Sequence, residues 1–450
     1  MGRTWKRMKI KLIVPRWPKN SFWDVITFKF PLLSTSLLAG LTAPEHEVSL
    51  VDESINPIDF AEEVNLVGIT AMTPLAPRGY EIAGEFRRRG VPVVMGGIHP
   101  TWLPEEAKVH CDSVVIGEAD EIWADILEDV KRNALKPFYK QERRTDLSRL
   151  PLPRRDLLDK KGYFFENLIQ TSRGCPYDCE FCSVTAMYGG SYRMRPIERV
   201  EEEIDALERS KAYIFFADDN LVGDMRYARQ LLTMLSHHRL RWVSQGPMSI
   251  ARDPELVRLM AKAGCHGMFI GFESLTHDNL RVMGKRMNRI EEYEDGIRRL
   301  HENGIGVYAS FVFGYDYDEP HVFDQFLDFS ERNHIEGAFL PLLTPFPGTR
   351  VYRRLKEEGR ILSEDWSQYD MATVVFRPRR MTVDQLQEGF WKVNRQFYSI
   401  PSMMKRIFNP FALRRSLIIF GPMNIGLWPA VKKAHRHFKS QQYDEGLQGS

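Results

Sequence analysis

Short, β-branched apolar runs alternate with helical patterns along this chain, and the alternation occurs twice. The first series fills residues 8 to about 135. Its apolar runs are "IKLIV" (Ile10–Val14), "EVSLVD" (Glu47–Asp52), "LVGITAM" (Leu66–Met72), "VPVVMGG" (Val91–Gly97) and "DSVVIGE" (Asp112–Glu118). Each is bounded by glycine, proline or charge, as buried strands are. Helical patterns such as "PRGYEIAGEFRRRG" (Pro77–Gly90) lie between them. Parallel strands need crossover helices, so this order predicts an α/β, doubly wound, Rossmann-like sheet. Ligands of such sheets sit beyond the carboxyl ends of the strands. Here that edge carries Thr70–Thr73, with Thr70 and Ala71 foremost, the "GGIHPT" loop (Gly96–Thr101) and "GEAD" (Gly117–Asp120).

The second series runs from about residue 163. Its expected strands are Phe165–Ser172, Tyr213–Asp219, Arg241–Gly246, Gly267–Ser274, Gly306–Gly314 and Gly337–Pro345. Six βα units are too few for a closed eight-unit barrel, so an open, partial (βα)6 barrel is expected. Its working end again lies where the strands end. A length of 450 residues allows two or three domains. We read 1–135 as the doubly wound domain and 136–162, charged and proline-punctuated, as a linker. Residues 163–350 are read as the partial barrel and 351–450 as a helical, basic extension.

"RGCPYDCEFCS" (Arg173–Ser183) follows the first strand of the second series and holds three of the five cysteines. Few, clustered thiols do not make a secreted disulfide framework, and a reducing cytoplasm is the expected setting. Structural zinc takes four ligands, usually as two separated pairs. Cys175, Cys179 and Cys182 are three, spaced C-x3-C-x2-C, with no fourth cysteine or histidine near in sequence. Three thiolates suit three irons of a 4Fe–4S cube and leave the fourth open to a substrate. Zinc, or plain structural use, stays open as the alternative. Cys111 and Cys265 precede apolar runs and read as inert core thiols.

"CPYDCEFC" resembles the signature of the radical S-adenosylmethionine enzymes. The resemblance implies that the open iron binds S-adenosylmethionine and that one electron cleaves it to a 5′-deoxyadenosyl radical. Other strand ends match the same barrel pattern. On that pattern Phe181, Asp218, Asp219, Gln245, Glu273 and Ser274 would contact S-adenosylmethionine. The phrases "NLVGITAM", "VVMGGIHPTWLPEEA" and "DSVVIGEAD" resemble the cobalamin-binding branch, which includes hopanoid methylases and the magnesium-protoporphyrin monomethyl ester cyclase. Thr70, Ala71, Gly96, Gly97, His99, Gly117 and Glu118 would then contact cobalamin. The D-x-H-x-x-G motif that supplies cobalt with a lower histidine is absent, so His99 is expected to pack near the nucleotide tail or to be structural. A degenerate domain that holds no cofactor is the bland alternative.

The resemblance implies transfer of a methyl group to an sp3 carbon, through methylcobalamin and with a second S-adenosylmethionine as radical source. Substrate would sit between the barrel mouth and the strand ends of the first domain. Oxidative cyclisation or rearrangement with the same cofactors is the rival. A tRNA methylthiotransferase would carry further N-terminal cysteines and an RNA-binding barrel, and neither is visible. A non-catalytic metal-binding or scaffolding protein is the third alternative. Partners implied are a small, hydrophobic or lipid-like substrate and an external one-electron donor. The net charge of +2 does not call for nucleic acid. Residues 401–440 carry eight Lys/Arg and no acid: Lys405, Arg406, Arg414, Arg415, Lys432, Lys433, Arg436 and Lys439. With apolar neighbours such as Phe420, Leu427 and Trp428, that segment reads either as a helical cap or as a peripheral contact with a membrane.

Overall fold

The computed structural model describes residues 7–26, 29–207, 213–407 and 416–448; side chains are described for these except at 160, 416–418 and 441–448. Two units result, one formed by residues 1–19, 30–164 and 365–369, the other by 20–29, 165–364 and 370–450.

The first unit is a parallel sheet of β1 (Lys9–Val14), β2 (Glu47–Asp52), β3 (Leu66–Thr70), β4 (Val93–Gly96), β5 (Ser113–Ile116) and β6 (Phe138–Lys140). Their order is β2-β1-β3-β4-β5-β6. The Ile and Val side chains of β1, β3 and β4, and Val114 and Val115 of β5, are buried on both faces, as helices covering a parallel sheet require. Strand β6 lies inside the stretch read as a linker. "KPFYKQ" gives it only three residues, and it pairs as an edge through Val114–Phe138 to Ile116–Lys140. The segment 365–369 joins this unit through Trp366, whose indole N–H donates to Glu106 at 3.0 Å.

In the second unit the core strands are β7 (Asn167–Ile169), β10 (Ile214–Phe216), β11 (Trp242–Pro247), β12 (Cys265–Glu273), β13 (Gly306–Phe311) and β14 (Gly337–Phe339). They pair side by side in that order, all parallel. Alternate residues such as Met268, Ile270, Val307 and Ala309 enter a core with the flanking helices. The expected strand Phe165–Ser172 divides. After β7 the chain leaves the sheet, and β8 (Ser172–Gly174) pairs antiparallel with β9 (Tyr192–Met194). The cause is Asp218, which captures Thr171 and Ser172 and turns the chain aside.

The C-terminal helices close one end of this unit. The Phe420 ring lies on Gly267 and Gly306, where any Cβ would collide with it. Arg406 is one of the eight cations that the membrane reading would expose and the cap reading would not; it is fully buried. Its guanidinium donates to the carbonyls of Ile335 and Phe397, both at 2.6 Å, and lies 3.5 Å above the Phe397 ring. Burial lowers its pKa to about 10. An Arg406→Met substitution leaves those carbonyls unpaired and is expected to cost about 2–4 kcal/mol. The check is a denaturant midpoint, with Lys405→Met, at an exposed neighbouring position, staying within ~0.5 kcal/mol of the parent.

Candidate active site

The cysteine loop is fixed at both ends. Asp218 is completely buried and pushed up to about 6 by that burial, against hydrogen bonds from Ser172 and Thr171. Thr171 donates to it through N–H at 3.1 Å and Oγ1 at 2.7 Å, and both the backbone N–H and the hydroxyl of Ser172 donate as well. Asp219 accepts the Gly174 N–H at 2.8 Å. Gly174 has φ +91°, and a Cβ there would strike the Ser191 carbonyl. The two adjacent acids therefore hold the approach to Cys175.

On the far side, Arg350 binds the Asp178 carboxylate at 2.5 Å and its carbonyl at 2.8 Å. Arg354 pairs with Glu180 at 2.8 Å and Asp316 at 2.7 Å, and the Val351 N–H donates to the Glu180 carbonyl at 3.1 Å. Arg360 and Arg379 also reach Asp316, so three guanidiniums share Glu180, Asp316 and Glu358. Removing the central cation by Arg354→Met strands the Glu180 carboxylate, while Asp316 keeps Arg360 and Arg379. The expected effect is a loss of about 1–3 kcal/mol and faster release of iron to a chelator. Chelator-accessible iron followed against time checks it, and Arg353→Met on the same helix serves as control.

The three thiols differ in setting. Burial pushes Cys179 up to about 12, with the Lys285 ammonium pulling the other way. Burial also raises Cys175 and Cys182, against backbone N–H groups of Tyr177, Thr185 and Val184. Asn220 Nδ2 approaches Cys175 Sγ at 3.7 Å. Such thiols ionise when a metal takes the proton's place. Three sulfurs on one loop, with backbone donors and a buried cation beside them, fit an anionic iron–sulfur cube.

Opposite the thiols, Glu273 ends β12 beyond a bulge and adopts φ +67°, a left-handed conformation unusual for glutamate. Its carboxylate accepts Lys285 Nζ at 2.8 Å and Ser310 Oγ at 3.3 Å. Gly271 lies beneath it, and a Cβ there would push aside Glu273 Oε1 and Lys285 Nζ. Burial alone would lower the Lys285 pKa, but Glu273 and the Cys179 and Cys182 thiols overcome it and the net direction is up. Lys285 was not anticipated. The only sequence signal is Gly284, whose φ of +77° stops the helix His277–Met283 against the Asp178 carbonyl.

Of the other expected residues, Phe181 packs edge-on against Tyr315 at 6.2 Å. Gln245 lies on β11, half-buried. Ser274 Oγ accepts the Thr276 N–H at 3.0 Å. Asn279, beside Ser274, donates to the buried Asp318 at 2.7 Å.

In the first unit, the expected residues gather at three adjacent strand ends. Thr70 pairs with Gly96, and the Ala71 N–H donates to the Gly96 carbonyl at 3.0 Å. Gly97 has φ +105° and Gly117 φ +86°. A Cβ at Gly97 would meet the Ala71 backbone, whereas nothing lies within 4 Å of one at Gly117. Glu118 accepts the Thr145 N–H at 3.3 Å. His99 is fully buried, with Nε2 3.0 Å from the Tyr80 hydroxyl and 3.1 Å from Glu106. Burial would raise the Glu106 pKa, but hydrogen bonds from His99, Tyr80 and Trp366 hold it below the usual range. His99 Nδ1 and Trp102 Nε1 are buried without protein partners. An open glycine edge and two such nitrogens fit a large polar cofactor, while His99 Nε2 is already engaged.

A three-thiol loop on a partial barrel and a doubly wound unit with a glycine-rich ligand edge define a radical enzyme with a second cofactor module. A "B12 binding domain" model matches residues 29–127, "Radical SAM superfamily" 169–329 and "Domain of unknown function (DUF4070)" 349–424. The chain is 32% identical over 412 residues to bacteriochlorophyllide d C-12(1)-methyltransferase of Chlorobaculum tepidum, covering 89% of this chain and 90% of the relative. It is 27% identical to the hopanoid C-2 methylase of Rhodopseudomonas palustris, covering 81% and 72%. Among solved structures, TsrM from Kitasatospora setae with cobalamin and a [4Fe-4S] cluster matches with TM-score 0.67 at 19% identity, over 97% of this chain and 100% of that one. OxsB with aqua-cobalamin and S-adenosylmethionine gives 0.69 at 15% identity, over 94% and 72%; both likenesses concern the fold. The chain belongs to the cobalamin-dependent radical S-adenosylmethionine methyltransferases, and its cofactors are a 4Fe–4S cluster, S-adenosylmethionine and cobalamin.

Proposed function

We propose that this enzyme methylates an unactivated sp3 carbon of a hydrophobic ring compound. The observation that carries the reading is similarity along nearly the whole chain to a methyltransferase of a pigment precursor. When bound, the cluster, S-adenosylmethionine and cobalamin supply an organic radical and a transferable methyl group. The protein's share is to hold and orient them. Cys175, Cys179 and Cys182 take three irons. Lys285, an ammonium buried beside these thiols, would offer its remaining donors to the carboxylate of S-adenosylmethionine, and Glu273 and Ser310 would help to hold its polar groups. Phe181 and Gln245 bound the same space. Asp218 and Asp219 act at one remove, by fixing the loop; that reassigns them from the direct contact expected of them. Thr70, Ala71, Gly96, Gly97, Gly117 and Glu118 form the cobalamin edge, with His99 as a support of that edge. Electrons for the cluster would come from an external one-electron donor. S-adenosylhomocysteine appearing together with 5′-deoxyadenosine in anaerobic turnover supports methyl transfer; 5′-deoxyadenosine alone would contradict it.

The membrane reading narrows. Arg406 is internal, Lys405 pairs with Glu331 at 3.0 Å, and Arg414 and Arg415 lie outside the described residues. Exposed Lys432, Lys433, Arg436 and Lys439 remain on the helix Ser416–Gln448, next to Ile425 at 70% exposure. Among the described residues no helix is long and apolar enough to cross a membrane. Four such charges near anionic lipid are worth ~1 kcal/mol each at best, enough for a reversible surface contact. Flotation with anionic liposomes, lost on changing those four residues to glutamate, is the expected result; equal flotation would remove the idea.

A further inference from the structure

Consecutive residues after β10 reach back to the cysteine loop, one step at a time. Asp218 holds Thr171 and Ser172, Asp219 holds Gly174, and Asn220 reaches Cys175 itself. The two acids fix backbone. The amide instead meets a sulfur, with Asn220 Nδ2 3.7 Å from Cys175 Sγ.

This amide has one orientation. Asn220 is 2% exposed, and its Oδ1 accepts the Val222 N–H at 3.1 Å, closing a turn between side chain and backbone. A backbone N–H only donates, so the carbonyl end of the amide faces Val222 and the NH2 end faces the sulfur. The turn is itself pinned. The Asn220 main-chain carbonyl accepts the Tyr192 hydroxyl at 3.0 Å, and the Leu221 N–H donates to the Gln245 carbonyl at 3.1 Å. Tyr192 belongs to β9 and Gln245 to β11, so two strands hold the donor in place. The turn uses only the amide oxygen, and aspartate closes such a turn equally well. The NH2 end is what asparagine adds, and it is aimed at Cys175.

We infer that Asn220 is a positioning residue for the radical-forming step: an N–H···S donor to Cys175 that makes the cluster easier to reduce. The inference deepens the proposed chemistry and rests on it for the presence of the cluster. The external carrier delivers one electron and no proton, and the sulfurs share the added negative charge. A donor to one of those sulfurs is therefore worth more after the electron arrives than before, and the potential rises.

The test is a redox titration of the reconstituted enzyme, followed by electron paramagnetic resonance and run without S-adenosylmethionine. Asn220→Asp keeps the turn oxygen and replaces the donor by an acceptor. Asn220→Ser keeps an oxygen that can close the turn but is too short to reach the sulfur. At the poise where half of the parent's cluster is reduced, the ratio of reduced to oxidised cluster is expected to fall about tenfold in the serine variant. That is about 59 mV for a one-electron couple, and the aspartate variant is expected to fall further. Val222→Ala, a buried apolar truncation in the same loop, is the control, with a lower melting temperature and an unchanged potential. Unmoved potentials in both Asn220 variants, or an equal shift in Val222→Ala, would overturn the proposal. Failure of both Asn220 variants to assemble a cluster would assign the residue to the shape of the loop and overturn it as well. A parent enzyme with no cluster signal would sink the catalytic reading itself, so the two failures are distinguishable.

Discussion

Replacing Cys179 by alanine abolishes 5′-deoxyadenosine formation and drops bound iron well below the roughly four atoms per chain of a filled cube. Cys179 is the most enclosed of the three thiols, at 8% exposure. Its backbone role is independent of its sulfur, since the Cys182 N–H donates to the Cys179 carbonyl at 3.2 Å. The loop therefore keeps its shape in the variant while one iron corner loses its ligand. Cys265→Ala is the matching control. That thiol is fully buried at the start of β12 with no part in the site, and its loss is expected to cost stability and leave iron content alone. Iron and sulfide analysis after anaerobic reconstitution, alongside product quantitation, checks both.

The second large effect is expected at Lys285. Its ammonium is the nearest compensation for the buried Glu273 carboxylate, 2.8 Å away and 7% exposed. Lys285→Met leaves that charge unpaired, a change of about 3–5 kcal/mol for a buried pair broken on one side. In a unit of this size that corresponds to roughly 5–8 °C in melting temperature. Adding Glu273→Gln removes the stranded charge and should restore much of the stability. It should not restore affinity for S-adenosylmethionine, expected to stay at least about tenfold weaker in both variants, since the cation for the ligand's carboxylate is gone. Thermal denaturation and equilibrium dialysis of S-adenosylmethionine, run on the single and double variants, separate the two contributions.

How far these groups could be read from sequence depends on where their partners lie along the chain. Sequence finds β1, β3, β4 and β5 because their burial is encoded in runs of Ile, Leu and Val, and it finds half-buried β2 by its apolar Val48, Leu50 and Val51. It misses β6, whose three residues sit among lysines and a proline and need only an edge to pair with. The cysteine spacing is local and complete in eight residues. Asp218 and Asp219 look like one acidic pair at a strand end, yet Asp218 is spent on Thr171 and Ser172, 47 and 46 residues away in sequence. Lys285 carries no periodic signature, because its place depends on the stop at Gly284 and on the bulge before Glu273. Arg406 reads as surface charge, because the carbonyls that bury it belong to residues 335 and 397 and leave no mark on side-chain patterning. The close approach of Phe420 to Gly267 and Gly306, and of Tyr308 to Gly337, is legible only in retrospect, because each ring belongs to another element.

A single spectroscopic comparison bears most directly on the account: electron paramagnetic resonance of the anaerobically reconstituted, chemically reduced enzyme, before and after S-adenosylmethionine is added. The account predicts the signal of a reduced 4Fe–4S centre whose g-values shift when the nucleotide occupies the open iron. A preparation that binds zinc in place of iron, or a cluster signal unmoved by saturating S-adenosylmethionine, would contradict it.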